Sequence, residues 1–194
     1  MTLAAAGYSL RFERPLMEPF VALLRGINVG GKNALPMKDL AGLLEALGAQ
    51  DVKTYIQSGN VVFRLAQRDG VQLAAQLSAS IQQTFGFAPF VLVLSCAALE
   101  EAIANNPYPQ ARAQPASLHL GFMAQLPTEV KLEKMAELKA ASEDFQLLGP
   151  VFYLHAPDGI GRSKLAARAE SLLGVDMTLR NWRTVCALLE LAQP

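Results

Sequence analysis

The chain has 194 residues, 52% of them hydrophobic, which is enough to pack one medium core or two small ones and excludes extended disorder. Seventeen basic residues offset seventeen acidic ones, so no whole-molecule field draws the protein to nucleic acid or anionic membrane, and any such contact must come from a local patch. No segment reaches the ~18 uninterrupted apolar residues of a membrane span, residues 1–18 lack the pattern of a signal peptide, and Cys96 and Cys186 stand far apart outside any C-x-x-C spacing; the expectation is a cytoplasmic protein with reduced thiols and a flexible N-terminal extension over 1–18.

From residue 19 the elements alternate. PFVALLRG (19–26) reads as a buried strand and PMKDLAGLLEALG (36–48) as a helix, with Pro36 suited to its first turn and Gly48 to its C-terminal cap. DVKTYIQ (51–57) and NVVFRL (60–65) read as strands joined about Ser58-Gly59. A helix over 71–86, a strand over 89–95 and a helix over 97–106, ended by Pro107, complete the order βαββαβ plus a helix. Residues 107–116, rich in proline, read as a linker.

The second run repeats the pattern without repeating the residues. SLHLGFMA (117–124) is a strand, TEVKLEKMAELKA (128–140) a helix with Thr128 as N-cap, and EDFQLLG and VFYLHAP two strands about Gly149-Pro150. A helix over 163–174, a strand over 175–180 and a helix over 181–192 with Asn181 as cap follow. The matching order predicts an α+β fold of two ferredoxin-like α-β plait subdomains, 19–106 and 117–194, each with an extra C-terminal helix. One continuous α/β sheet is the alternative.

LLRGINVGGKN (23–33) contains G-x-x-x-x-G-K, the spacing of a nucleotide-binding P-loop. Asn33 stands where that loop needs a hydroxyl for Mg²⁺, and Pro36 delays the helix by about four residues, so its dipole cannot meet a phosphate held at Gly30 and Gly31. Nucleotide hydrolysis is therefore set aside. Topology offers a different site. In a plait the exit of the first strand and the hairpin between strands two and three share an end, which groups Arg25, Asn28, Gly30, Gly31, Lys32 and Asn33 with Gln57, Ser58 and Asn60. In the second half, Arg162, Ser163 and Lys164 open a helix after two glycines, beside Arg180, Asn181 and Trp182. If the two ends converge, they form a basic cleft for a phosphate-bearing ligand. The alternative assigns the asparagines and glycines to turn chemistry, pairs Arg25 and Arg180 with Asp39, Asp51, Asp158 or Asp176 across the subdomain interface, and makes Trp182 a core anchor.

Other chemistry has little support. His119 and His155 lack partners at metal-ligand spacing, Glu100-Glu101 and Glu143-Asp144 read as solvated charges, and Ser58 and Ser95 lie outside G-x-S-x-G. No cofactor or metal is expected, and the residues name no catalytic base or nucleophile.

The blocks LLRGINVGGKN, MKDL (37–40), YIQSGNVVF (55–63), NNPY (105–108), LH (118–119), GRSKL (161–165) and RNWRTV (180–185) resemble the bacterial family of domain of unknown function 1697, in family order over about residues 20–192. Arg183 departs from the Asn expected after Trp182. The resemblance implies a pair of ferredoxin-like subdomains and no reaction or ligand. Three functions stay open: a module binding a nucleotide or, more weakly, a short nucleic acid; an enzyme acting on a phosphorylated or carboxylate small molecule; and a protein-interaction module without a ligand.

Overall fold

The computed structural model describes residues 16–66 and 69–193; the expected extension lies outside the described residues as far as residue 15. The first half runs β1 (Glu18–Arg25), α1 (Met37–Ala46), β2 (Gln50–Tyr55), β3 (Asn60–Leu65), α2 (Gly70–Phe85), β4 (Phe90–Ser95) and α3 (Cys96–Ala104). The second runs β5 (Leu118–Met123), α4 (Leu132–Leu138), β6 (Asp144–Leu148), β7 (Val151–His155), α5 (Lys164–Leu173), β8 (Met177–Asn181) and α6 (Trp182–Ala192). The strands form two four-stranded sheets, ordered β2-β3-β1-β4 and β6-β7-β5-β8. Every pairing is antiparallel, so the fold is α+β in two similar subdomains rather than one continuous sheet.

Side-chain alternation sorts the strands into faces. In β1, Phe20, Ala22 and Leu24 pack with Leu40 and Leu44 of α1 and Leu73, Leu77 and Ile81 of α2. Val21 and Leu23 turn the other way and join a core that also contains Leu99 of α3, Leu120 and Phe122 of β5, Tyr153 of β7, and Val185 and Leu188 of α6. The second sheet repeats this: Phe152 and Leu154 meet Met135 of α4 and Leu165 and Ala169 of α5. The extra helices α3 and α6 thus lie between the two sheets, and each plait carries its own pair on the far side. That central core welds the subdomains together.

Local chemistry explains most boundaries. Asp69 Oδ1 accepts from the N–H groups of Val71 and Gln72 to start α2, and Gly86 ends it at φ +80°. Residues 107–116, read as a linker, carry a 3-10 turn over Pro109–Ala113, and Tyr108 and Ala111 are buried in the central core. One expectation is corrected. The helix expected over 128–140 is confined to Leu132–Leu138: Lys131 N–H bonds to Leu172 O, which ties the preceding residues to the end of α5 and leaves Thr128 outside the helix.

Candidate functional site

The GxxxxGK stretch is a small β-hairpin. Lys32 N–H bonds to Val29 O at 3.1 Å, and Asn28 N–H bonds to Asn33 O at 3.1 Å. Gly30 and Gly31 form its tip at φ +58° and +73°, the double left-handed turn for which glycine pairs are suited. The hairpin's root is held by two asparagine side chains. Asn28 Nδ2 donates to Leu35 O and Gln57 O while its Oδ1 accepts from Leu35 N, and Asn33 Nδ2 donates to Gly26 O. Both asparagines sit at positive φ, +54° and +52°. The loop's backbone is thus committed to its own turn, and α1 begins only at Met37.

The end of β1 does meet the second subdomain. A cleft of about 320 Å³ is lined by Leu24, Arg25 and Val29 at the exit of β1, Ser58 of the β2–β3 turn, Ala166, Ala167 and Glu170 of α5, and Thr178 and Arg180 of β8. Arg180 is the residue that closes it. Its Nε donates to Asn60 Oδ1 at 2.6 Å, Nη1 to Thr178 Oγ1 at 2.7 Å and Leu179 O at 2.8 Å, and Nη2 to Leu24 O at 2.5 Å and Ser58 O at 3.4 Å. Among the described residues it has no carboxylate partner. Burial penalises the cation and pulls its pKa down to about 10.

Arg25 is built differently. Its guanidinium lies over the Phe90 ring, 4.7 Å from the centroid, donates to the Glu170 carboxylate and to Met177 O, and reaches Asp176 Oδ1 at 3.2 Å. The expected pairing with Asp176 is therefore present, and Glu170 is an addition. Asp51 instead lies 3.7 Å from Arg64 and Asp158 accepts from Ser142, while Asp39 lies in the first turn of α1.

Of the residues singled out from sequence, Arg25, Ser58 and Arg180 line the cleft, and Asn28, Gln57 and Asn60 are bonded directly behind it. Lys32, Arg162 and Lys164 are exposed and have no side-chain partner among the described residues. Lys164 is the first residue of α5, about one turn before Ala167 of the cleft lining. Three others do not join the site. Ser163 is the N-cap of α5, its Oγ accepting from Ala166 N, and Asn181 is the N-cap of α6, accepting from Thr184 N. Trp182 is packed in the central core with the Arg112 guanidinium 5.8 Å from its ring centroid, so it is an anchor rather than a stacking platform.

Sequence reasoning missed Glu170, Ala166 and Ala167. Their spacing on α5 marks a common face, but that signal needs the helix's packing partner to be known. Elsewhere the described residues hold no group of three or more His, Cys, Asp or Glu side chains placed to hold a metal ion. No helix among them is long and apolar enough to cross a membrane. The Cys96 thiol is pushed up to about 11 by burial and by Glu100, which makes it a poor nucleophile.

Residues 17–153 match the family described as "Protein of unknown function (DUF1697)". The chain belongs to that family. The match ends within β7, so the GRSKL and RNWRTV blocks lie beyond it. Among solved structures, a conserved bacterial protein, SP0830 from Streptococcus pneumoniae, is similar at a TM-score of 0.65 and 22% identity, covering 92% of this chain and all of that one. That likeness concerns the fold. No curated protein matches the chain.

Proposed function

We propose that this DUF1697 protein is a cytoplasmic binding module for a small phosphate-bearing anion held in the cleft between its subdomains. The observation that carries the reading is Arg180, a largely buried guanidinium lining a cleft walled by both halves, with no carboxylate partner among the described residues. Buried charge without a counter-ion is costly, and a bound anion supplies one. Lys32 and Lys164, exposed on the elements that bear Val29 and Ala167 of the cleft lining, would add attraction that the neutral chain lacks overall. The volume, about 320 Å³, favours a nucleotide-sized or smaller molecule over a nucleic-acid strand. The free thiols Cys96 and Cys186 accord with a reducing compartment.

A second reading, an interaction module whose cleft is only the seam between subdomains, is favoured by the fact that Arg25 and Arg180 already have protein acceptors. An enzyme acting on the same ligand needs a base, and Glu170 in the cleft is held by Arg25. Thermal-shift measurement with inorganic phosphate, mononucleotides, phosphosugars and RNA oligomers separates the readings. A small phosphate compound should stabilise wild type by a few degrees at saturating concentration, and Lys32→Ala and Lys164→Ala should weaken the response. Absence of any shift with every phosphate compound favours the seam.

A further inference from the structure

The cleft is electrically lopsided. Arg25 faces two carboxylates, those of Glu170 and Asp176, which leaves that end one negative charge in excess. Arg180 faces none, which leaves the other end one positive charge in excess. Each carboxylate gives Arg25 a single oxygen, Glu170 Oε1 and Asp176 Oδ1, so Glu170 Oε2 and Asp176 Oδ2 have no ion-pair partner among the described residues. Arg25 is anchored to Met177 O and the Arg180 guanidinium reaches back to Thr178 Oγ1, on the next residue of the same strand, so the two guanidinium groups lie within about 10 Å of each other.

The two ends are also joined by open space. Ala167 and Glu170 line both the inner cleft and an adjoining shallow bowl of about 470 Å³ that contains Ser171 and Asp176. Ala167 of α5 lies on the lining that the two share, while Leu24 and Ile27, which also line the cleft, have their side chains buried in the first subdomain's core. At the positive end one donor is cheap to redirect: the Nη2 contact to Ser58 O is the longest that Arg180 makes, 3.4 Å, and lies on the exposed side.

From this juxtaposition we infer that the ligand is dipolar, a small phosphate monoester that also carries a primary amine, with its phosphate at Arg180 and its ammonium group between Glu170 and Asp176. The inference rests on the anion-binding cleft proposed above and adds the second charge. A purely anionic ligand satisfies Arg180 but leaves the acidic end unmatched. A ligand of opposite charges, joined by a short alkyl spacer past Ala167, satisfies both ends at once.

Isothermal titration of the full chain with 4-aminobutyl phosphate, butyl phosphate and inorganic phosphate at neutral pH tests it. All three should bind, and the amine should tighten 4-aminobutyl phosphate about 10-fold relative to butyl phosphate, a typical gain for one charge-assisted contact. Asp176→Asn, which keeps the Glu170–Arg25 pair, should cut that ratio to about 3-fold or less. Equal affinity of the two alkyl phosphates overturns the dipolar assignment while leaving the anion cleft intact, as does an amine advantage untouched by Asp176→Asn. Binding by none of the three overturns both. The wild-type comparison needs no variant, so a misfolded Asp176→Asn still leaves the inference decidable.

Discussion

Arg180 and Asn60, 120 positions apart in the chain, are joined by a 2.6 Å hydrogen bond from Nε to Oδ1. Asn60 is fully buried at the start of β3, and its own Nδ2 is directed to Tyr55 O and Ser58 Oγ, so its oxygen has one orientation. The remaining donors of Arg180 go to Leu24 O, Ser58 O and its own strand. A single side chain from the last strand thus fixes the exit of the first strand and the turn of the β2–β3 hairpin.

Replacing that side chain should therefore cost stability whatever the cleft binds. Arg180→Met leaves Asn60 Oδ1 and Leu24 O without their donors, and the expected loss is roughly 3 kcal/mol. Arg180→Lys should recover less than half of it, because an ammonium cannot reproduce the guanidinium fork. Urea unfolding followed by circular dichroism reads both. A loss under about 0.5 kcal/mol for Arg180→Met, the range of an ordinary surface change, removes the clamp from the account.

Ile56 opens the same hairpin turn at φ +48° although it is β-branched and 54% exposed. That backbone conformation penalises a branched side chain, while Asn adopts it readily. Ile56→Asn should raise stability by about 1 kcal/mol, seen as a melting temperature higher by a few degrees. A lower melting temperature means that the isoleucine makes contacts that outweigh its strain.

The plaits were legible because their periods are strong. PFVALLRG and NVVFRL are short apolar runs, MKDLAGLLEALG carries Leu40 and Leu44 on one stripe, and Asn181 caps α6 where a cap belongs. That Arg25 and Ser58 share an end followed from topology, since antiparallel pairing puts Leu23 opposite Asn60, whereas the meeting with Arg180 depended on how the subdomains pack. What the residues did not show was how their hydrogen bonds are spent. A basic side chain has the same letter whether it awaits a ligand or closes a seam, and only the positions of Leu24 O, Asn60 and Glu170 separate the two. Trp182 stood open between a ligand contact and a core anchor for a related reason: its letter does not show that it packs in the central core between the sheets.

Two glycines separate backbone constraint from packing. At Gly59, φ is +72° and an added Cβ lies 2.7 Å from Leu24 Cβ and 3.0 Å from Ile27 Cδ1, so neither the backbone nor rigid neighbours yield. Gly59→Ala should cost about 3 kcal/mol or more. At Gly121 the added Cβ meets chiefly the sulfur of Met177, the far end of a flexible side chain, and φ is unexceptional. Gly121→Ala should cost about 1 kcal/mol, the lower end of overpacking penalties. Denaturant midpoints for the two variants should differ in that order, and equal costs would show that Met177 is locked in place by its neighbours.

His119 gives the protein a defined acid sensitivity. It is 8% exposed in β5, its Nδ1 has no hydrogen-bond partner among the described residues, and burial pulls its pKa from the ordinary 6.5 down to about 4. Between those values the unfolded chain binds a proton that the folded chain refuses. Stability from the neutral imidazole is therefore complete above about pH 6.5, declines as the pH falls, and is lost by about pH 4. Unfolding free energies measured at pH 7 and pH 5 should differ by about 2 kcal/mol through this group. His119→Leu removes the titration and the orphaned nitrogen together, so the variant should match wild type at pH 7 and exceed it at pH 5. An identical drop in both proteins would assign the acid sensitivity to other groups and place a proton-accepting partner beside His119 in solution.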